Sequence, residues 1–222
     1  MTAVLVAAGS STRMGFDKLS FDLGGETVLE RSVRAFDECP EVDELVIVTG
    51  ASSENAQRAA ARCKKPVRLV RGGSTRAESA RSGVAAAHGR LVAVHDAARP
   101  FVSQSVIADT IAAAARCGAA APAVPVKDTI KTVTEEGAVT GTPDRSTLRA
   151  VQTPQVFEAD LLKAALQSAL ENEVSVTDDC SAVERLGKVV YLIDGDEENL
   201  KITTPMDLVV AEAILAEREE RT

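Results

Sequence analysis

Leu91-Val92-Ala93-Val94-His95-Asp96-Ala97-Ala98-Arg99-Pro100 is an apolar run that ends in a histidine, a carboxylate and a guanidinium. The run is continuous rather than alternating, which suits a strand covered on both faces. A helix-like segment, Ser103–Cys117, follows, with Ser103 as its N-cap ahead of Val106-Ile107. A second apolar run, Ala119–Val124, comes next. Strand, helix and strand in that order predict a βαβ unit with parallel strands.

The same rhythm extends outward on both sides. Ala3–Ala7, Glu44–Thr49 and Val67–Arg71 read as further strands, and Thr27–Phe36, Ser53–Cys63 and Glu78–Ala87 as helices, with Ser53 a second N-cap. Beyond residue 151 the pattern predicts helices at Ala159–Leu170, Asp179–Leu186 and Pro205–Glu217, a strand at Lys188–Ile193, and a fraying, solvated tail. The Ala-rich helices are expected to lie close to the sheet. The expected fold class is α/β: one Rossmann-like domain over residues 1–222, its mainly parallel twisted sheet flanked by helices.

One segment, 126–151, breaks the rhythm. Thr129–Thr134 and Ala138–Thr142 flank Glu135-Glu136-Gly137, which predicts a polar, Thr-rich β-hairpin. Inserted in a parallel α/β domain, such a hairpin is expected to project as an arm and to mediate homodimerisation. A hairpin folded against its own domain is the other reading.

Composition narrows the function. The 222 residues include only one Tyr, five Phe and no Trp, and the net charge is −8, with a pI near 4.9. A protein that coats nucleic acid carries the opposite charge balance and stacks bases on aromatic rings, so no nucleic-acid partner is expected. No stretch of about 18 uncharged apolar residues is present, so no membrane span is expected. The N-terminus lacks the basic and apolar regions of a signal peptide. Cys39, Cys63, Cys117 and Cys180 are scattered with no metal-ligand spacing, which predicts reduced thiols in a cytoplasmic protein.

In open α/β sheets ligands bind beyond the carboxyl ends of the strands, and the informative residues fall there. After the first strand come Ala7-Ala8-Gly9, then Arg13 and Lys18: small residues that admit an anion to the backbone, followed by two cations. The spacing is neither a Walker A loop nor a dinucleotide fingerprint. Gly72-Gly73, Arg76 and Ser79 form a second such turn after the third strand, although Ser79 also suits a helix's first turn. Asp96, after the fourth strand, is placed to hold a divalent metal against phosphates, or else caps a helix or pairs with Arg99. His95 reads as structural. Arg145, Thr153 and Lys201 gain meaning only as members of this set.

Taken together, these strings resemble the 2-C-methyl-D-erythritol 4-phosphate cytidylyltransferase family of the non-mevalonate isoprenoid pathway. The resemblance spans essentially the whole chain. It rests on Ala7-Ala8-Gly9-x-x-x-Arg13-Met14 with Lys18, Gly72-Gly73-x-x-Arg76-x-x-Ser79, His95-Asp96-Ala97-Ala98-Arg99-Pro100 and Asp128-Thr129-Ile130-Lys131. Thr153-Pro154-Gln155-x-Phe157, Thr177-Asp178-Asp179 and Asn199-x-Lys201-x-Thr203-x-Pro205-x-Asp207-Leu208 complete it. Departures are few: Asp17 stands where Pro is frequent, Ala80 where Val is usual and Glu198 where Asp often occurs. The resemblance implies reaction of CTP with the phosphorylated sugar alcohol to give a CDP-alcohol and pyrophosphate, with Mg²⁺ required. By matching motifs, Arg13 and Lys18 would stabilise charge on the α-phosphate and leaving pyrophosphate. Ala7, Ala8, Gly9, Gly73 and Ser79 would hold the nucleotide, with Asp96 contacting Mg²⁺. Lys201, together with Thr129 and Arg145 of a partner's arm, would orient the incoming phosphate, with Thr153 near the methylerythritol.

The chemistry is consistent with that implication. A phosphate monoester has a second pKa of about 6 and is mostly dianionic at neutral pH, so it attacks without a general base. The obstacle is bringing two polyanions together, which cations and a metal relieve. Ribitol-5-phosphate cytidylyltransferase is the alternative with the same nucleotide and metal. Molybdenum-cofactor nucleotidyltransferases lack a role for the arm and for Thr153-Pro154-Gln155. A non-catalytic nucleotide-binding module would not keep Arg13, Lys18 and Lys201.

Overall fold

The computed structural model describes residues 1–9, 16–50 and 52–221. Its elements alternate as the sequence predicts: β1 (Thr2–Ala7), α1 (Val28–Asp37), β2 (Glu44–Thr49), α2 (Glu54–Ala61), β3 (Val67–Arg71), α3 (Arg76–Ala85), β4 (Leu91–Asp96), α4 (Gln104–Cys117) and β5 (Ala119–Pro125). The remainder of the chain adds β6 (Thr132–Val133), β7 (Val139–Gly141), β8 (Arg149–Val151), β9 (Gln155–Glu158), α5 (Ala159–Glu171), α6 (Asp179–Arg185), β10 (Tyr191–Asp194) and α7 (Pro205–Glu220).

The large sheet runs in the order β10-β5-β9-β4-β1-β2-β3, with β8 paired to β5. All pairings are parallel except those of β8 and β9, which lie antiparallel to their neighbours. This is the expected α/β class. Both faces are covered, which accounts for the uninterrupted apolar strands. Ala3, Leu5 and Ile47 pack with Val28, Phe36 and Ile107 of α1 and α4. Val4, Val48 and Val94 pack on the other face with Ala80, Leu162 and Val183 of α3, α5 and α6. The small side chains bring α3 close to the sheet: a Cβ on Gly83 would lie 2.3 Å from Val4 Cγ1.

Several boundaries shift for identifiable reasons. Helix α3 begins at Arg76 rather than at Glu78, because Thr75 and Glu78 form a reciprocal capping box around its first turn. Ser103 caps α4, accepting from the Val106 amide. Ser53 occupies the N-cap position of α2 but makes no cap bond, its hydroxyl accepting instead from Gln57 Nε2 at 3.0 Å. Strand β9 was not legible, since Val156-Phe157 is too short an apolar run to register. Nor does the chain fray after Glu217: Arg218 lies over the Phe101 ring, donates to the Phe101 carbonyl at 2.9 Å and pairs with Glu198 at 2.8 Å, and the helix continues to Glu220.

The arm forms as a hairpin with its turn where predicted, Gly137 at φ +87° and its amide donating to Thr134 O at 3.0 Å. Only Thr132–Val133 and Val139–Gly141 pair, through an irregular register. A polar ribbon with no buried face gains little from longer pairing. Val133 and Val139 stay 56% and 61% exposed. The last three arm residues, as β8, return to the large sheet beside β5.

Candidate active site

Strands β1, β2 and β3 progress toward one edge of the sheet, whereas β4 returns to the opposite side of β1. The carboxyl ends of β1 and β4 therefore form the topological switch point, where connections diverge and leave a crevice. A cleft of about 530 Å³ lies there. Its walls are Ala8 and Gly9 after β1, Gly73 to Arg76 and Ser79 around the start of α3, Asp96 and Ala98 at the end of β4, with Lys18 and Lys201 from either end of the chain.

Asp96 is the only acidic residue among the described cleft-lining residues, and it is buried. One carboxylate oxygen accepts from Arg76 Nε at 3.1 Å and the other pairs with Lys201 Nζ at 2.7 Å. Burial alone would raise its pKa, but Arg76 and Lys201 outweigh that and hold the carboxyl well below the usual range. Lys18, on a short 3-10 turn capped by Asp17, donates from Nζ to the Ile202 carbonyl at 2.7 Å. That bond ties the loop after β1 to the segment that leads into α7. Arg99 donates to the Asn199 carbonyl at 2.6 Å from beneath, and burial lowers its pKa.

His95 is structural, as read from the sequence. It is wholly buried beside Phe36, with ring centroids 4.8 Å apart, and burial pushes its pKa down to about 4. Nε2 faces the Arg99 carbonyl at 3.1 Å, and a carbonyl only accepts, so the proton of this neutral ring sits on Nε2. Bare Nδ1 then accepts from the Thr153 hydroxyl at 3.1 Å, while that hydroxyl accepts from the Asp96 amide at 3.1 Å. Thr153 is thus buried under Asp96 and does not line the cleft.

The other expected residues fall as follows. Ala8, Gly9, Gly73, Ser79, Lys18, Lys201 and Asp96 meet in one place, and Ala7 is the last residue of β1 behind them. Ser79 donates its hydroxyl to the Thr75 carbonyl at 2.9 Å. Arg13 lies outside the described residues. Thr129 and Arg145 are exposed on the arm and do not line their own chain's cleft; Arg145 donates to the Lys127 carbonyl at 2.6 Å. The glycine pair has a partly different purpose from the one expected. A Cβ on Gly72 would lie 2.6 Å from both Ala8 Cβ and Ser79 Oγ, so this glycine lets two walls of the cleft touch. The amides of Ser74 and Thr75 donate to Glu78 Oε2 at 2.6 and 3.3 Å, and are already committed. Asp179, Gln155 and Asn199 escaped the residue-level reading, although each sits in a motif string. Gln155 Oε1 accepts the amides of Asp179 and Cys180 at 3.0 Å, fastening α6 to β9.

Among the described residues no cluster of three or more His, Cys, Asp or Glu side chains could hold a metal ion. That donor set excludes an all-protein cage. It fits Mg²⁺, which keeps several waters and uses one or two carboxylates together with substrate phosphates.

A switch-point cleft that gathers three cations and one carboxylate, with no His or Cys among its described lining residues, has the character of a nucleotidyltransferase. Comparison with known proteins specifies it further. Residues 1–217 match the family model IspD: 2-C-methyl-D-erythritol 4-phosphate cytidylyltransferase. The chain is 46% identical over 221 residues to the enzyme of that name from Symbiobacterium thermophilum, covering 98% of this chain and 93% of that one. It is 44% identical to the namesake from Caldanaerobacter subterraneus subsp. tengcongensis, covering 97% and 98%. Among solved structures, the 4-diphosphocytidyl-2C-methyl-D-erythritol synthase of Anaerococcus prevotii superposes with a TM-score of 0.88 at 32% identity, covering 97% of this chain and 95% of that one. The Thermus thermophilus cytidylyltransferase gives 0.79 at 36%, covering 96% and 97%. The chain belongs to the 2-C-methyl-D-erythritol 4-phosphate cytidylyltransferase family, and it is a cytidylyltransferase. The ribitol-phosphate and non-catalytic alternatives are not favoured. No described helix is long and apolar enough to cross a membrane.

Proposed function

We propose that the cleft performs the cytidylyl transfer with Lys18, Arg76 and Lys201 as its charge-neutralising groups and Asp96 as the residue that holds Mg²⁺. Three cations in one cleft, two of them, Arg76 and Lys201, paired with its carboxylate, carry this reading. Backbone and small side chains at Ala7, Ala8, Gly9, Gly73 and Ser79 seat the nucleotide, and Arg13 joins Lys18 at the phosphates. The phosphate of 2-C-methyl-D-erythritol 4-phosphate attacks the α-phosphate of CTP in line and expels pyrophosphate. Already dianionic near neutral pH, the nucleophile surrenders no proton, which agrees with a buried, neutral His95 that cannot act as a base. Positioning and preorganised positive charge supply the acceleration. Lys201 orients the attacking phosphate and Lys18 the departing one. Bound Mg²⁺ would add neutralisation of phosphate oxygens at Asp96. Thr153, whose hydroxyl accepts from the Asp96 amide, fixes the backbone that carries that carboxylate.

The arm completes the site in a homodimer. Thr129 and Arg145 stand exposed beyond the reach of their own cleft, on a ribbon that presents Ile130, Val133 and Val139. A cytoplasmic setting is part of this reading, supported by four free cysteines, two of them buried.

Subunit complementation tests the arrangement. Lys18→Ala and Arg145→Ala, each nearly inactive alone with CTP, Mg²⁺ and methylerythritol phosphate, should regain about one quarter of wild-type pyrophosphate release after subunit exchange, since half of the dimers then carry one intact site. No recovery in demonstrably mixed dimers removes the arm from the partner's cleft.

A further inference from the structure

Arg76 is held by two carboxylates of different kinds. Asp96, at the end of β4, faces the cleft and takes Nε; Asp179, the first residue of α6, takes Nη2 at 2.9 Å from behind. The Asp179 side chain is 1% exposed, does not line the cleft, and is out of reach of any ligand there. Its backbone is pinned by the Gln155 side chain, which accepts the amides of residues 179 and 180. Its second oxygen, Oδ1, is buried with no hydrogen-bond partner among the described residues.

Such a group is a poor device for stability. Burying a carboxylate is costly, half of its hydrogen-bonding capacity is unused, and an apolar residue of similar volume generally serves a fold as well or better. What Asp179 does provide is direction. In the proposed reaction Asp96 must turn from Arg76 and Lys201 toward metal and phosphate. A guanidinium anchored by Asp96 alone would then be released. The second carboxylate, which no substrate can reach, keeps the fork in place while Asp96 works. Only Arg can be gripped this way, because its planar guanidinium presents separate N–H groups to two acceptors, whereas a Lys ammonium is a single point.

We infer that Asp179 is a positioning residue for CTP: it holds the Arg76 guanidinium over the triphosphate portion of the cleft independently of Asp96. This inference rests on the reading of the cleft as the CTP site. A wild-type protein that releases no pyrophosphate from CTP would overturn that reading, and the variants below would then not be the issue.

The test is steady-state kinetics with CTP varied at saturating methylerythritol phosphate. Asp179→Asn keeps shape and removes charge, and should raise the KM for CTP roughly tenfold or more, the loss of one charge-assisted hydrogen bond. The KM for methylerythritol phosphate should stay within about threefold. Arg76→Lys leaves the buried carboxylate compensated and should raise the CTP KM similarly. Because the two act as one unit, the double variant should be no worse than Arg76→Lys alone. A purely structural role predicts otherwise: a lower melting temperature for Asp179→Asn with the CTP KM unmoved, or losses that multiply in the double variant. Either result overturns the inference. Should Asp179→Asn fail to fold, an unchanged CTP KM in Arg76→Lys overturns it equally.

Discussion

Gly83 offers a case in which two well-defined effects oppose each other and the structure decides between them. It lies in the interior of α3, where Gly→Ala in an exposed helix would stabilise by about 1 kcal/mol. Here the added Cβ would meet Val4 Cγ1 at 2.3 Å and Val48 Cγ2 at 2.7 Å. Carbon atoms pack comfortably at about 3.5 Å or more, so the overlaps are about 1.2 and 0.8 Å. Both valines are fully buried on adjacent strands, and a β-branched side chain is stiff at χ1. Neither can turn aside, and α3 must lift from the sheet, loosening Ala80 and Val84 as well. Overpacking of this kind costs typically 1–3 kcal/mol; two simultaneous clashes against rigid partners place Gly83→Ala at the upper end. Net of propensity, the variant should lose about 2 kcal/mol, a fall in Tm of about 4–8 °C for a chain of this size. Urea titration and calorimetry measure it. Removing the obstruction should compensate: Val4→Ala combined with Gly83→Ala should be less damaging than the two losses added, by about 1 kcal/mol. A melting temperature for Gly83→Ala at or above wild type would refute the reasoning, since propensity would then have outweighed packing.

Two further outcomes follow from the support beneath Asp96. Thr153→Val strands the Asp96 amide and His95 Nδ1 without their shared partner; it should cost about 1–3 kcal/mol and lower kcat/KM, with Thr153→Ser restoring most of both, as read by urea midpoints and pyrophosphate release. His95 gives a pH signature in the metal-free protein. Its folded pKa of about 4 lies below the ordinary 6.5, so the unfolded chain takes up the proton first. The stability that this ring contributes is complete above pH 6.5 and is lost as the pH falls toward 4, by up to about 3 kcal/mol. Urea midpoints that stay level between pH 7 and 4.5 would contradict the assignment.

Much of the site was legible because α/β architecture converts chain position into spatial position. Residues that follow a parallel strand emerge at its carboxyl end. Asp96 after β4, Gly73 after β3 and Ala8-Gly9 after β1 therefore had to lie near one another once the strands were found. The arm was legible by contrast, as a Thr-rich stretch with a turn glycine and no helical period. Strand β9 was not: its four residues carry only Val156-Phe157 as an apolar signal, and its place between β4 and β5 depends on which strands leave a gap. The burial of Thr153 beneath Asp96 was not legible either, because a motif string does not say which way a side chain faces.

By itself the sequence determined the α/β class, the βαβ rhythm, most helix boundaries, the arm's turn and the set of cations available to a polyphosphate. These follow from local rules: side-chain periodicity, capping and backbone freedom act over a few residues. Tertiary structure alone decided who pairs with whom. Lys18 reaches a carbonyl 184 residues away, and Arg76 a carboxylate 103 residues away. Coulombic attraction, burial and hydrogen-bond satisfaction depend on distance through space and on the exclusion of water, and neither is written in the spacing of residues along the chain.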